Sequence, residues 1–411
     1  MKILFQGMKN FSKIFVFIFM FVIFCGCEQK SVGGETNGGE DDIFVPSESY
    51  IYFNVNPLSR GALIPSGAFL GNFNVLGYNY QGRWEAAVTT ASQITPVKDG
   101  VMGVFYSSNI SDKKGVQLVT YNGTDKKHEY TYEGSDKSDV GNQKEWDGAL
   151  RYSFFAWHPA TEDLVVNGGN VNYFGEPYIS YSIEDRTRAQ MLDVITACKI
   201  DVTKFNGSSV NFNMEHRLSA LDILANNIIT MKSLKEAHPE IDFAKEGISD
   251  NAQVTVKNIT NLALKLDRIK KSVRIPLNTN SATTVQITEG ELTNVIYNDF
   301  NCTDVSIPYY STSDDMKTLM GEDKLILIPQ TENIEASVVI SYDVVCTDGG
   351  NTYSIHYDRG NLETNKLETT IKGLEEKHYH YLELTFTATG VFLQANVNET
   401  WIPYRIDYEF E

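Results

Sequence analysis

The chain has 411 residues, 42% of them hydrophobic and 12% aromatic, enough apolar material for two ordinary domains and too much for a chain that is mostly disordered. Its formal net charge is −18, which repels phosphate backbones and makes nucleic acid a poor partner. Five cysteines, two of them in the first 27 residues, leave three in the body at 198, 302 and 346; that odd number has no C-x-x-C spacing and argues against a disulfide framework or a zinc site.

Residues 1–26 read as a secretory signal peptide. Lys9 and Lys13 follow Met8, the natural start of such a leader, and an apolar run from Ile14 to Phe24 comes next. The run is shorter than the ~20 residues of a comfortable membrane-spanning helix. It ends in Cys25-Gly26-Cys27, which resembles a bacterial lipobox with Cys27 as the lipidated residue and new N-terminus. Phe24 is bulkier than the residue usual at its place, and an ordinary signal peptide or an uncleaved anchor is the alternative. Removing residues 1–26, which hold Lys2, Lys9 and Lys13 and no acid, takes the net charge from −18 to −21. Residues 27–46 are rich in Gly and acids and bury too little to fold, so they read as a flexible tether.

From 47 onward the pattern is that of strands. Tyr50 to Asn56, with Tyr50, Tyr52 and Val55 in it, reads as a first strand running into the turn at Pro57. Phe73–Tyr78 and Tyr152–Trp157 are further apolar strands, the latter closed by His158-Pro159. Val210 to Ile223 has apolar residues at alternate positions and reads as one long strand with a buried face. The best helical candidate lies in 231–247, around Met231–Ala237. Strands are then expected at 254–256, 325–328, 337–345 and 379–386. The chain closes on 401–411, where Tyr404, Ile406, Tyr408 and Phe410 fall on one face and Arg405, Asp407 and Glu409 on the other. Many short strands between turn-rich loops mean sandwiches or barrels.

Motifs of catalysis are missing from the sequence: there is no G-x-S-x-G, Walker loop, G-x-G-x-x-G or H-E-x-x-H. No catalytic residue, metal or cofactor is therefore expected. His378 and His380 share a strand face that can hold a metal, yet no third ligand is near in sequence, which favours a packed pair. Glu215-His216 likewise reads as structural. Cys302 and Cys346 either pair or serve as small buried apolar groups. Of the acidic clusters at 41–42, 242–250 and 313–315, only the last hints at converging oxygens. The four tryptophans fit either a sandwich core or an exposed sugar-binding platform.

Several segments in order resemble the fimbrillins, the type V pilus subunits of Bacteroidetes. They are the lipobox leader, Pro57-Leu-Ser-Arg60-Gly61-Ala62, Phe73–Tyr78, Phe154–Pro159, Val210–Ile223, Leu325–Gln330, Glu376–Phe386 and Val397–Trp401. Residues 231–250 have no counterpart in the pattern. The resemblance implies an all-β chain of two tandem β-sandwich domains, 47–207 and 208–411, with Greek-key-like, transthyretin-like topology. It also implies a trypsin-like protease cutting between Arg60 and Gly61, which frees the first strand. A neighbour's C-terminal strand, here Tyr404 to Phe410, would then fill the vacated groove. The partners implied are other pilus subunits, the outer membrane through lipid, the processing protease and a host or bacterial surface ligand. Two alternatives stay open: a non-polymerising tip or anchor subunit, and a surface glycan-binding lipoprotein.

Overall fold

A computed structural model of the chain describes residues 50–55, 71–80, 82–84, 102–103, 116–122, 124, 127–131, 144–167, 177–204, 209–278, 292–302, 304–310, 316–321, 323–359, 361–362 and 364–398. All of them fall within one unit, Val45–Glu411. As expected the chain is all-β: the described residues hold 23 strands and one α-helix.

The first part is built on a seven-stranded sheet. Its order is β11 (Glu215–His216), β9 (Ile195–Val202), β6 (Arg151–His158), β2 (Phe73–Tyr80), β4 (Val116–Asn122) and β5 (Lys127–Glu129), with β3 (Met102–Gly103) on β2. The central strand β6 reads Arg-Tyr-Ser-Phe-Phe-Ala-Trp-His, with six successive residues buried between its ends. A strand that is buried on only one face alternates; one covered on both faces reads as a continuous apolar run. Tyr152, Phe154 and Ala156 of β6 enter one core, where they meet Phe73 and Val75 of β2 and Ile195 and Ala197 of β9. Phe155 and Trp157 point the other way, into a larger core with Leu76, Tyr78 and Tyr80 of β2. The sheet is thus a middle layer.

The smaller core is closed by β1 (Tyr52–Val55) and β10 (Ser209–Phe212), a two-stranded parallel pair with Phe53 opposite Val210. The larger core fills the remainder. It lies between a sheet containing β12 (Ser219–Asn227), β22 (Tyr379–Thr387) and β23 (Gly390–Asn398) and one containing β13 (Gln253–Lys270), β15 (Leu292–Tyr297), β19 (Ile334–Asp348) and β20 (Asn351–Arg359). A three-stranded sheet of β7 (Val165–Asn167), β8 (Tyr178–Ser182) and β14 (Ser272–Pro276) joins residues of the first part to the second. β13 runs for 18 residues, and its register against β19 slips at Asn258 and Asn261. Both asparagines take positive φ, 52° and 53°, the left-handed region that Asn tolerates better than most residues and that bulges use.

The segment 210–223 differs from the single strand expected. It forms three strands, β10, β11 and β12, which pair with β1, β9 and β22 respectively. The apolar alternation resumes beyond His216, but its destination changes: Val210, Phe212 and Met214 enter the smaller core, whereas Leu218 and Ala220 enter the larger. Periodicity reports which side is buried and is silent on the partner strand. The expected helix is shorter than its window. α1 (Met231–Ala237) buries Met231 and Leu234, and Ser233 N donates to the N-cap hydroxyl of Thr230 at 3.1 Å.

Candidate functional site

The first strand sits as a plug in the smaller core. Ile51, Phe53 and Val55 are buried at alternate positions, and Tyr52 is buried on the opposite face. Phe53 is 1% exposed and meets three rings: Phe154 edge-on at 5.2 Å, Tyr130 at 5.5 Å and Phe212 stacked at 5.9 Å. Such aromatic contacts add to the gain from area burial. At the strand's start, Ile51 N donates to Lys144 O at 2.8 Å, the Tyr130 hydroxyl donates to Ile51 O at 2.8 Å, and Tyr50 bridges Glu145. Lys144 N in turn donates to the Tyr130 hydroxyl at 3.0 Å.

Of the residues singled out in the first strand, Val55 faces this core and Tyr52 packs on the other side, while Tyr50 is only half-buried. The inward set is completed by Ile51 and Phe53, whose signal was the spacing 51, 53, 55. Cys27, Arg60, Gly61, Tyr404, Ile406, Tyr408 and Phe410 lie outside the described residues, as do Trp401 and the acidic residues at 41–42 and 313–315.

The other candidate residues are absorbed by packing. Trp84, Trp146 and Trp157 are all buried and present no exposed aromatic platform. Cys198, Cys302 and Cys346 are buried free thiols, and burial pushes Cys302 and Cys346 up to about 11. Asp242 accepts from Lys245 N within a turn, and Asp250 pairs with Lys235. His216 Nδ1 lies 2.8 Å from Asp193 Oδ1. No group of three metal-ligating side chains occurs among the described residues, and no described helix is long and apolar enough to cross a membrane.

His380 is buried and accepts from Glu375 N at 3.4 Å, which requires an unprotonated Nε2. Burial, and then the neighbouring His378, push it down to about 4. The unfolded chain binds this proton near pH ~6.5 and the folded chain only near the lower value. Stability contributed by neutral His380 is therefore present above that window and lost as the pH falls through it, by about 3 kcal/mol in all. Urea titrations from pH ~7 to ~4 should show that loss, and His380→Gln should flatten it.

No protein-family model and no curated protein matches the chain. Solved structures do. A fimbrial protein from Bacteroides vulgatus superposes with a TM-score of 0.50 at 15% identity, over 86% of this chain and 99% of that one. Two proteins described as candidate cell adhesion proteins give lower scores. The one from Bacteroides ovatus has a TM-score of 0.42 at 14% identity, covering 86% and 97% of the two chains. The one from Bacteroides uniformis has 0.39 at 13%, covering 86% and 98%. At such identities the likeness speaks to fold, and the fold of this chain is that of a Bacteroides fimbrial protein.

Proposed function

We propose that the chain is a non-enzymatic pilus or adhesin subunit, exported as a lipoprotein through Cys27 and held at the outer membrane and cell surface. Its copies join by donor-strand exchange, in which a neighbour's C-terminal strand takes the place of β1. The observation that carries this reading is the seat of the first strand. β1 is a short apolar segment whose strand ladder is with β10, yet its side chains occupy the middle of an aromatic core. Removing such a strand bares backbone groups along an apolar groove, and a strand from another copy satisfies both by β-augmentation. Tyr404, Ile406, Tyr408 and Phe410 repeat the two-residue spacing of Ile51, Phe53 and Val55. Cleavage between Arg60 and Gly61 by a trypsin-like protease would free β1 from the body.

The test is incubation of the mature protein with a trypsin-like protease, followed by N-terminal sequencing and electron microscopy. The expected result is a new N-terminus at Gly61 and ladders or fibres, with Arg60→Ala abolishing both. Polymer formation by Arg60→Ala at the wild-type level would overturn the mechanism. A protein that resists the protease and stays monomeric would point to a tip or anchor subunit.

A further inference from the structure

The backbone of Ile51 is held by a ring of three hydrogen bonds. In an ordinary antiparallel pair two opposed residues exchange both N–H···O bonds directly. Here one bond is direct, from Ile51 N to Lys144 O at 2.8 Å. The return path runs through a side chain: Lys144 N donates to the Tyr130 hydroxyl at 3.0 Å, and that hydroxyl donates to Ile51 O at 2.8 Å. A phenol has one proton to give and lone pairs to accept with, so a single hydroxyl serves both backbone groups. The Tyr130 ring stays in the smaller core, 5.5 Å from that of Phe53. With Tyr130 buried, water is kept from the relay, and leaving its backbone groups unsatisfied is costly.

The far side of the ring is fixed without help from β1. Trp146 is buried beside it, and Asp147 N donates at 2.7 Å to the hydroxyl of Tyr152 on the central strand β6. The relay therefore ties β1 to a rim anchored on the middle sheet. It stands at the strand's start, just before the ladder with β10, which begins at Tyr52. Arg60 and Gly61 follow the strand's other end. Strand ends open before strand middles, so a cut there lets β1 peel from Val55 backwards, and Ile51 leaves last. We infer that Tyr130 is the positioning residue that retains β1: by bridging Ile51 O and Lys144 N it keeps the strand seated, and after cleavage it sets the rate at which the groove opens to a second copy. The rate-setting step rests on the cleavage and exchange proposed above; the clasp on Ile51 does not.

Hydrogen exchange read by mass spectrometry on the uncut mature protein tests the clasp. The variant is Tyr130→Phe, which keeps the ring and removes the hydroxyl. Exchange in residues 50–55 should quicken by about ten-fold or more, the effect of losing two neutral hydrogen bonds, while β6 and β9 keep their protection. After treatment with a trypsin-like protease, the fragment ending at Arg60 should leave the variant about ten-fold sooner than the wild type, as native mass spectrometry will read. Unchanged exchange at 50–55 overturns the inference. So does a rise shared equally by β6 and β9, which is the mark of a generally loosened core, and so does a fragment that leaves both proteins at one rate. A protein that is never cut at Arg60 sinks the exchange mechanism instead, and the uncut arm still decides whether Tyr130 holds β1.

Discussion

Phe53→Ala is expected to destabilise the uncut protein by about 3–5 kcal/mol, measured by urea denaturation. The residue is 1% exposed and touches the rings of Phe154, Tyr130 and Phe212. Truncation removes the transfer gain and leaves a cavity walled by rigid aromatic groups, which collapse poorly. Trp146 shares this core and packs edge-on against Tyr152 at 4.9 Å, so its fluorescence should follow the same transition. Tyr50→Ala, at a half-buried position two residues before β1, is expected to cost less. The contrast separates a plug that holds the core from a strand that merely lies over it. Equal, small effects at both positions would mean that β1 contributes little to the fold. In that case its displacement could not be coupled to assembly in the way proposed.

Much of the scaffold was legible because burial leaves a local trace. The run Tyr152–Trp157 reads as an apolar strand, and it is one; the fold makes it central, with both faces in cores. The helix was readable around Met231–Ala237; in the fold it buries Met231 and Leu234 and takes Thr230 as its N-cap. The alternation of Tyr353, Ile355 and Tyr357 in β20 was equally available, although those residues are only half-buried on an edge strand and give a weaker contrast. Partner choice left no such trace. Val210 and Leu218 belong to one alternating pattern but to different cores, because alternation fixes a face and topology fixes what covers it.

Polar sites in the interior were the least legible. Arg188 lies in the polar stretch 184–190 of the sequence. In the fold it is buried, donates to Met320 O at 2.8 Å and Asp323 O at 2.7 Å, and lies over the Phe300 ring. Long-range polar contacts of this kind depend on the whole topology, so no window of sequence contains them.

The strongest such case is Asp222, and Asp222→Ala is expected to cost about 3–5 kcal/mol, the range for removing one partner of a buried charge pair. Asp222 sits on β12 with 0% exposure. Its Oδ2 lies 2.6 Å from Lys324 Nζ and accepts from the Tyr379 hydroxyl at 2.6 Å, 157 positions away; its Oδ1 accepts from Thr318 Oγ1 at 2.9 Å. Lys324 also donates to Thr318 Oγ1 and to Gly321 O, and Ile223 N donates to Asp222 Oδ1 at 2.7 Å, so the ammonium has three acceptors and the carboxylate four donors. Removing the carboxylate leaves an ammonium largely out of water and a tyrosine hydroxyl without its acceptor. Lys324→Met should be damaging for the mirror reason, since it leaves a fully buried carboxylate with only neutral donors. The double variant Asp222→Leu/Lys324→Met should be less unstable than the sum of the singles, because charge burial and charge pairing vanish together. A double-mutant cycle in urea measures this directly. Strict additivity would mean that the two charges do not compensate each other, and that the cluster holds β12 to its neighbours through its neutral hydrogen bonds alone.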